Sequence, residues 1–275
     1  MTLKTGLIGS GIPASRSPSL HMQEARAQGL ELTYTLFDLD QIEGGVTSLP
    51  GLLAKLRDQD FLGVNITHPV KQAVLPLLDD VSDDVAALGA CNTVIFKGGR
   101  SRGYNTDWSG WAASFRRGLG DASLGKVVLL GAGGAGSAIA YALLQLGAGQ
   151  VAIHDLDRAR AQALAARLKD FRVVVISDLA ATLAKAEGVV NCTPVGMAKY
   201  PGSPVPANFL RPDLWVADVV YVPLMTELLR SAAQAGCRIL NGGGMAVFQA
   251  AEAFRLFTGC EPDTERMLDH FAGMG

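Results

Sequence analysis

A lysine lies directly behind a short apolar run in the first third of the chain. In the segment GVNITHPVKQ (63–72), Val64 and Ile66 alternate with polar residues, which is typical of a strand. Pro69 would end that strand because it has no N–H to donate to a neighbour. Lys71 follows two positions later, and an amine within hydrogen-bond reach of a hydroxyl can take up or release its proton. Lys71 is therefore a candidate acid/base group, and the alternative is a solvated surface lysine.

A second candidate site is the glycine-rich turn GAGGAG at residues 131–136. It follows an apolar run (127–130) and precedes an alanine-rich segment, and dinucleotide-binding turns require this strand–turn–helix context. Gly131 would permit the tight turn, Gly133 would let the backbone approach a pyrophosphate, and Gly136 would let the helix pack closely on the strand. The pattern predicts dinucleotide binding. The alternative is a tight turn that only packs two elements together.

An acidic residue, Asp155, ends the next predicted strand and lies 19 positions beyond Gly136. A carboxylate there can accept hydrogen bonds from an adenosine ribose and would repel a 2′-phosphate, so the pattern favours NAD over NADP. Arg158 and Arg160 favour NADP instead, because a guanidinium just beyond this strand can bind a 2′-phosphate. If both arginines only form the exposed face of the following helix, NAD remains the expected cofactor.

Composition limits the class of protein. The 275 residues are 49% hydrophobic and carry a net charge of −2, which gives no electrostatic reason to expect a nucleic-acid partner. The four cysteines have no CxxC spacing, so we expect reduced thiols and neither a disulfide framework nor a metal site. No apolar stretch approaches the roughly 20 residues of a membrane span. We therefore expect a soluble, cytoplasmic protein whose ligands are small molecules.

Strands and helices alternate along the chain in two separate series. From residue 127 to residue 241, apolar runs separated by helical stretches predict a Rossmann-type, doubly wound parallel sheet. The first hundred residues show their own α/β pattern, with a strand at 63–67, a helix near 71–78 and a hairpin at 91–107. Both series belong to the α/β class.

These two series predict two domains. We expect an α/β domain at 1–107 that binds substrate and a dinucleotide-binding domain at 108–243. A long amphipathic helix predicted at 244–259 follows the last strand, and we expect the segment 244–275 to fold back onto the first domain.

Four polar clusters occupy predicted loops in or beside the first domain. They are SRSPSLH (15–21), NITHPVK (65–71), LGACNT (88–93) and GYNTD (103–107). Because each follows or flanks a strand, their side chains could converge at the strand ends, as in ligand sites of open α/β sheets. Each also has a purely structural interpretation: Ser17 could cap a helix, His68 could make hydrogen bonds within a turn, Asn92 could hold a hairpin, and Asp107 could cap a helix at 108–118.

The clusters occur in a fixed order with the glycine turn and three later motifs. These motifs are NCTPVGM (191–197), DVVYVPLMTELL (218–229) and GMAVFQAAEAF (244–254). The whole series resembles the shikimate dehydrogenase family nearly from end to end. The residues of its motifs are most similar to those of NAD-dependent quinate/shikimate dehydrogenases. The resemblance implies a two-domain fold and a nicotinamide-dependent interconversion of shikimate and 3-dehydroshikimate.

The resemblance also implies roles for individual residues. Lys71 and Asp107 would form the catalytic acid/base pair, and Ser15 and Ser17 would bind the substrate carboxylate. The other substrate contacts would be Thr67, Asn92, Tyr221 and Gln249. The positions in contact with the cofactor would be Gly131, Ala132, Gly133, Gly134, Ala135, Asp155, Arg160, Thr193, Val219, Gly242 and Met245.

The sequence departs from the family pattern in two places. Met22 stands where an asparagine is usual, and HDLDRAR (154–160) replaces the asparagine-arginine-serine/threonine run of NADP-using members. With serine at position 17, we expect shikimate to be a good substrate, and quinate or an amino-substituted analogue is the alternative. A non-catalytic NAD-sensing protein is the alternative from another class, although a sensor would not need Lys71 and Asp107. For the oligomeric state, we consider a homodimer formed through the first domain.

Overall fold

The computed structural model describes residues 2–274 of the chain. The chain forms two compact units, the first made of Met1–Thr106 with Val247–Gly275 and the second of Asp107–Ala246. These divisions lie one and three residues from the predicted ones. The C-terminal segment thus belongs to the same unit as the N-terminal hundred residues.

Strands and helices alternate along most of the chain. The strands are β1 (Leu3–Gly9), β2 (Leu32–Asp38), β3 (Gly63–Ile66), β4 (Asp80–Val81), β5 (Thr93–Lys97), β6 (Arg100–Tyr104), β7 (Lys126–Leu130), β8 (Gln150–His154), β9 (Val173–Val175), β10 (Gly188–Asn191), β11 (Trp215–Asp218) and β12 (Ile239–Leu240). The α-helices are α1 (Ser17–Ala27), α2 (Leu49–Asp58), α3 (Asp83–Leu88), α4 (Thr106–Leu119), α5 (Gly134–Gln145), α6 (Arg158–Leu168), α7 (Leu179–Leu183), α8 (Glu227–Gln234), α9 (Gly243–Thr258) and α10 (Thr264–Ala272).

The first unit is built on a six-stranded mixed sheet with the order β2-β1-β3-β5-β6-β4. β1 is parallel to β2 and β3, whereas β5 is antiparallel to β3 and β6. Alternation along β1 sends Leu7 and Ile8 to opposite faces. Ile8 packs in a cluster with α2, and Leu7 packs in a cluster with α1 and with Phe254 of α9. Both faces of the sheet are therefore covered by helices.

The second unit contains six parallel strands in the order β9-β8-β7-β10-β11-β12. Counted along the chain, this is the order 3-2-1-4-5-6 of the Rossmann fold. Val128 and Leu129 of β7 enter two separate apolar clusters, one on each face. The strand order reverses between β7 and β10, and ligands of such sheets bind beyond the carboxyl ends of the strands at this reversal. The predicted fold class is confirmed.

Some predicted elements differ from the structure. The helix expected near 71–78 is wrong, because this segment forms a turn followed by a single 3₁₀ turn at Leu75–Leu77. Pro76 has no N–H to continue an α-helix and disfavours helical geometry in the residue before it. Within this segment Val74 N donates to the Val70 carbonyl at 3.0 Å, and both side chains are buried.

β10 ends at Asn191, β11 at Asp218 and β12 at Leu240. The loops that follow these strands carry several of the predicted cofactor positions. Within the part of the chain that the structure describes, no helix is both long enough and apolar enough to cross a bilayer.

Candidate active site

The predicted substrate residues of the first unit lie where strands end. Ser15 and Ser17 belong to the segment that leads from β1 into α1, and Thr67 and Lys71 follow β3. Asn92 immediately precedes β5. Because β5 runs antiparallel to β3, with Asn65 opposite Thr93, the start of β5 lies beside the end of β3. The mixed topology thus brings the clusters at 65–71 and 88–93 to the same edge of the sheet.

The amide of Asn92 is held in one orientation. Its Oδ1 accepts a 2.7 Å hydrogen bond from the backbone N–H of Thr106 and a 3.0 Å bond from the Thr93 hydroxyl. Its Nδ2 donates to the Thr106 hydroxyl at 3.0 Å. Because a backbone N–H can only donate, the oxygen and nitrogen of this amide are identified without ambiguity. Asn92 therefore ties the start of β5 to the first residue of α4.

Ser15 and Ser17 are both half-buried at the beginning of α1. The Ser15 hydroxyl accepts a 3.3 Å hydrogen bond from the backbone N–H of Ser17. The prediction that Ser17 caps this helix is wrong, because Arg16 occupies the N-cap position and no side chain there makes a capping bond.

Lys71 lies in the turn that follows β3 and is half-buried. The turn starts at Thr67, whose carbonyl accepts from Val70 N at 3.0 Å, and contains a cis His68–Pro69 peptide bond. The Lys71 carbonyl accepts from the N–H of Cys91 at 2.9 Å, which ties the turn to the cluster at 88–93. Burial raises the pKa of the Cys91 thiol to about 12, and the nearby Lys71 charge opposes this shift only weakly. This thiol stays protonated and unreactive.

Three other predicted residues lie on different elements. Gln249 is half-buried on α9, in the part of that helix that belongs to the first unit. Asp107 is buried and belongs to the second unit, in the first turn of α4 and not before it. Tyr221 is 41% exposed in the loop after β11.

The glycine turn connects β7 to α5 at the reversal of the second sheet. Gly131 has a φ of +93°, a conformation that other residues rarely adopt. A Cβ on Gly136 would overlap the carbonyl oxygen of Gly131, so only glycine permits this helix to start so close to the strand. A Cβ on Gly133 or Gly134 would project into open space at the N-terminus of α5. The turn therefore leaves room for an anion where the helix dipole favours one, and a pyrophosphate fits this site.

Asp155 follows β8 and fastens the glycine turn. One carboxylate oxygen accepts from the N–H of Ala132 at 2.7 Å, and the other accepts from the N–H of Asp157 at 2.8 Å. Each oxygen keeps a lone pair for a further donor such as a ribose hydroxyl. Asp157 caps α6, and its carboxylate pairs with Arg160 at 3.3 Å. Leu156, which lies between Asp155 and Asp157 in the sequence, is 99% exposed. Asp155 at the end of β8 is thus followed by a second carboxylate, that of Asp157, which pairs with Arg160.

A buried pair of polar residues, Asn191 and Asp218, joins the ends of β10 and β11. The sequence alone did not predict this pair. Asn191 Oδ1 accepts from the N–H and hydroxyl of Thr193 at 3.0 and 2.7 Å, and Asn191 Nδ2 donates to Asp218 at 3.0 Å. Asp218 also accepts from Thr226 Oγ1 at 2.7 Å and from Val220 N at 3.0 Å. Burial raises the pKa of Asp218 to about 6, although these three hydrogen bonds oppose it. The signal in the sequence was a polar residue at the end of each apolar strand in NCTPVGM and DVVY.

The remaining predicted cofactor positions lie close together in the second unit. A Cβ on Gly242 would overlap the carbonyl oxygen of Val219, so the loops after β11 and β12 approach closely because residue 242 has no side chain. Val219 and Met245 are half-buried and pack against the apolar cluster around β7. Among residues 2–274, no three His, Cys, Asp or Glu side chains converge as metal ligands would.

Three family models match the chain. They are described as the shikimate dehydrogenase substrate binding domain (residues 7–94), shikimate/quinate 5-dehydrogenase (residues 115–197) and the shikimate 5'-dehydrogenase C-terminal domain (residues 242–270). The first covers the loops with Ser15, Lys71 and Asn92, and the second covers the glycine turn.

Relatives match over almost the whole chain. A shikimate dehydrogenase (NADP(+)) from Streptomyces avermitilis is 55% identical, with 97% of this chain and 94% of the relative covered. A quinate/shikimate dehydrogenase (NAD(+)) from Corynebacterium efficiens is 46% identical, with 98% and 97% covered. Among solved structures, quinate dehydrogenase from Corynebacterium glutamicum in complex with NAD superimposes with a TM-score of 0.96 at 44% identity and covers 99% of both chains.

Proposed function

Because the chain belongs to the shikimate dehydrogenase family, we propose that it interconverts shikimate and 3-dehydroshikimate with NAD as the hydride carrier. We assign cofactor binding to the second unit and most of the substrate contacts to the first. The observation that carries this proposal is that one chain combines a glycine turn at the reversal of a Rossmann sheet with a lysine among hydroxyl and amide groups at the strand ends of another sheet.

Oxidation of a secondary alcohol removes a hydride from carbon and a proton from oxygen. NAD, when bound, supplies the hydride acceptor. We assign the proton to Lys71, which would accept it from the hydroxyl during oxidation and return it to the forming alkoxide during reduction. Asp107 would accept a hydrogen bond from the reacting hydroxyl and orient it toward the lysine.

The substrate carboxylate would be bound by the hydroxyls of Ser15 and Ser17. Hydrogen bonds from neutral donors hold an anion less strongly than a bidentate arginine would. Asn92 would offer N–H to a ring oxygen, because its carbonyl oxygen already accepts two hydrogen bonds. The other ring hydroxyls would contact Thr67, Tyr221 and Gln249.

NAD is the cofactor that the second unit favours. A 2′-phosphate near the end of β8 would face the carboxylates of Asp155 and Asp157, and Arg160 is already paired with Asp157. A ribose hydroxyl could instead donate to Asp155. The cofactor would further contact Gly131 to Ala135, Thr193, Val219, Gly242 and Met245.

Quinate is the second candidate substrate. The specific observation in its favour is the TM-score of 0.96 with a quinate dehydrogenase bound to NAD. Quinate carries one more hydroxyl on the carbon that bears the carboxylate, so it needs space beside Ser15 and Ser17. Both serines have small side chains and are only half-buried.

One matrix of initial rates tests the proposal: shikimate and quinate, each with NAD and with NADP. We expect the highest kcat/KM for shikimate with NAD. A higher kcat/KM for quinate would make quinate the preferred substrate. A preference for NADP would contradict the assignment of Asp155 as the residue that favours NAD. Tight NAD binding without turnover of either acid would favour the non-catalytic sensor.

A further inference from the structure

The hydroxyl of Thr193, one of the proposed cofactor contacts, has a fixed polarity. Asn191 Oδ1 accepts from the backbone N–H of Thr193 at 3.0 Å, which identifies this atom as the oxygen of the amide. Because an amide oxygen cannot donate, the 2.7 Å hydrogen bond between it and Thr193 Oγ1 uses the single proton of the hydroxyl. The same hydroxyl accepts from the N–H of Val195 at 3.2 Å. One lone pair remains, so Thr193 can accept a hydrogen bond from a ligand and cannot donate one.

Thr193 lies beside the glycine turn of the second unit. A Cβ on Gly131 would come within 3.0 Å of Thr193 Cγ2 and 3.1 Å of the Cys192 carbonyl oxygen, so the loop after β10 packs directly on the turn. Thr193 itself is half-buried, and β7 and β10 are neighbours where the strand order reverses. A dinucleotide with its pyrophosphate at the glycine turn would therefore have other groups within reach of the Thr193 hydroxyl.

The other end of the Asn191 amide is held by Asp218. Asn191 Nδ2 donates to Asp218 Oδ1 at 3.0 Å and to the carbonyl of Val195 at 2.9 Å. Asp218 is 1% exposed; its Oδ1 also accepts from Val220 N, and its Oδ2 accepts from the Thr226 hydroxyl. Burial raises the pKa of this carboxyl to about 6, so at pH 8 it is ionised and can only accept. The amide cannot turn over without placing its own oxygen against a carboxylate and a carbonyl.

We propose that Asp218 is a positioning residue that acts through Asn191 and keeps the Thr193 hydroxyl turned to accept a hydrogen bond from the bound dinucleotide. This inference rests on the proposed function, because Thr193 matters only if the second unit binds NAD. The donor is an O–H or N–H group of the cofactor, either a ribose hydroxyl or the amide of the nicotinamide. A phosphate oxygen does not suit this hydroxyl, because an ionised phosphate can only accept.

The test compares two substitutions of Asp218 at pH 8 by calorimetric titration with NAD in the absence of either acid. Asp218→Ala removes an acceptor from Asn191 Nδ2 and lets the amide turn. We expect it to raise the Kd of NAD about tenfold, while the KM of the acid at saturating NAD changes less than about threefold. A general loss of structure would change both constants.

Asp218→Asn is the conservative variant. The bonds from Asn191 and Val220 both reach Oδ1, so a single amide oxygen can accept them. The amide nitrogen would then face the Thr226 hydroxyl, whose oxygen can accept. This variant should keep the Kd of NAD within about threefold of the wild type.

A double-mutant cycle tests whether Asp218 acts through Thr193. Thr193→Val removes the hydroxyl and should raise the Kd of NAD about tenfold. In this background Asp218→Ala should add less than about threefold. The matched control is Glu187→Ala, which removes a carboxylate just before β10, at the opposite end of that strand from Asn191, where it accepts from Ser123 and Gly125. It should lose stability and keep the Kd of NAD.

The source of the donor is identified with 3-acetylpyridine adenine dinucleotide, in which a methyl group replaces the amide NH₂ of the nicotinamide. If the effect of Thr193→Val on Kd disappears with this analogue, the amide is the donor. If the effect persists, the donor is a ribose hydroxyl. Either result supports an accepting Thr193.

The outcomes separate this inference from the proposed function. A wild type that does not bind NAD overturns both, whereas one that binds NAD and turns over neither acid overturns the proposed reaction alone. A folded Asp218→Ala with an unchanged Kd, or effects of Asp218→Ala and Thr193→Val that add independently, overturns the role of Asp218. If Asp218→Ala does not fold, Asn191→Ala breaks the same link, and an unchanged Kd in that variant has the same meaning.

Discussion

The side-chain amide of Asn191 donates a 3.0 Å hydrogen bond to the carboxylate of Asp218, which joins the ends of two neighbouring parallel strands. The oxygen of the same amide accepts hydrogen bonds from the N–H and the hydroxyl of Thr193, one of the proposed cofactor contacts. A carboxylate that is 1% exposed thus stabilises the loops beyond the carboxyl edge of the second sheet.

The burial of Asp218 should make stability depend on pH. Its pKa is raised to about 6 from an ordinary 3.8, so the native state binds the proton more tightly than the unfolded chain does. Its contribution to stability is therefore largest below pH 4, falls as the pH rises to about 6, and stays constant above that. The fall is about 3 kcal/mol.

Urea unfolding of the wild type and Asp218→Asn between pH 4 and pH 8 measures this effect. The difference in the free energy of unfolding between the two proteins should change by about 2 kcal/mol over this range, in favour of the wild type at low pH. A difference that does not vary with pH would show that Asp218 is not perturbed in the native state.

Replacement of Lys71 should abolish most of the turnover. Without the acid/base group, we expect Lys71→Ala to reduce kcat by about 10²–10⁴-fold, while binding of NAD and substrate survives. Lys97→Ala is the matched control, because this exposed lysine ends β5 at the hairpin turn. Steady-state rates and equilibrium binding measure both effects, and near-normal turnover in a folded Lys71→Ala would refute the assignment.

Replacement of Asp155 should change the cofactor preference. Asp155→Ala removes the proposed acceptor for the ribose hydroxyl and the negative charge that would repel a 2′-phosphate. Because Asp155 also accepts from Ala132, both cofactors should bind more weakly, but NAD should lose more. The ratio of kcat/KM for NAD to that for NADP should fall at least about tenfold, or about 1.4 kcal/mol. Asp178→Ala, which removes the cap of α7, is the control and should leave the ratio unchanged.

The pairing of Glu24 with Arg266 should hold α10 on α1. Two guanidinium nitrogens donate to the buried carboxylate at 2.7 and 2.9 Å, across 242 positions of sequence. We expect Arg266→Ala to reduce the free energy of unfolding by about 3 kcal/mol, because it leaves a buried charge unpaired. Arg255→Ala breaks a more exposed i,i+3 pair with Glu252 and should cost less than about 1 kcal/mol. Similar losses in the two variants would contradict this distinction.

The same pair should weaken in acid. Burial raises the pKa of Glu24, but hydrogen bonds from Arg266, Asp263 and Gln28 outweigh this effect, and the net pKa is lowered. The contribution of the pair is therefore present above the ordinary pKa of a glutamate and is lost as the pH falls below it. The destabilisation caused by Arg266→Ala should accordingly shrink at low pH.

The sequence by itself determined the features that depend on neighbouring residues. The glycine turn needs a tight bend, an open helix N-terminus and a close helix–strand approach, and Gly131, Gly133 and Gly136 supply these within six positions. The spacing to Asp155 and the alternation of strands and helices were equally local, and together they predicted a Rossmann-type sheet. The polar loops could be predicted for the same reason, because they interrupt apolar runs in the sequence.

Only the tertiary structure decided which polar groups meet inside the molecule. The contact of Tyr34 with Asn65, the pairing of Glu24 with Arg266 and the burial of Asp218 each join distant segments, and no local pattern encodes them. The helix predicted near 71–78 was also wrong, because Pro76 does not permit it. The physical reason is that a buried hydrogen bond forms wherever folding removes both partners from water, and that depends on how the sheet and helices pack.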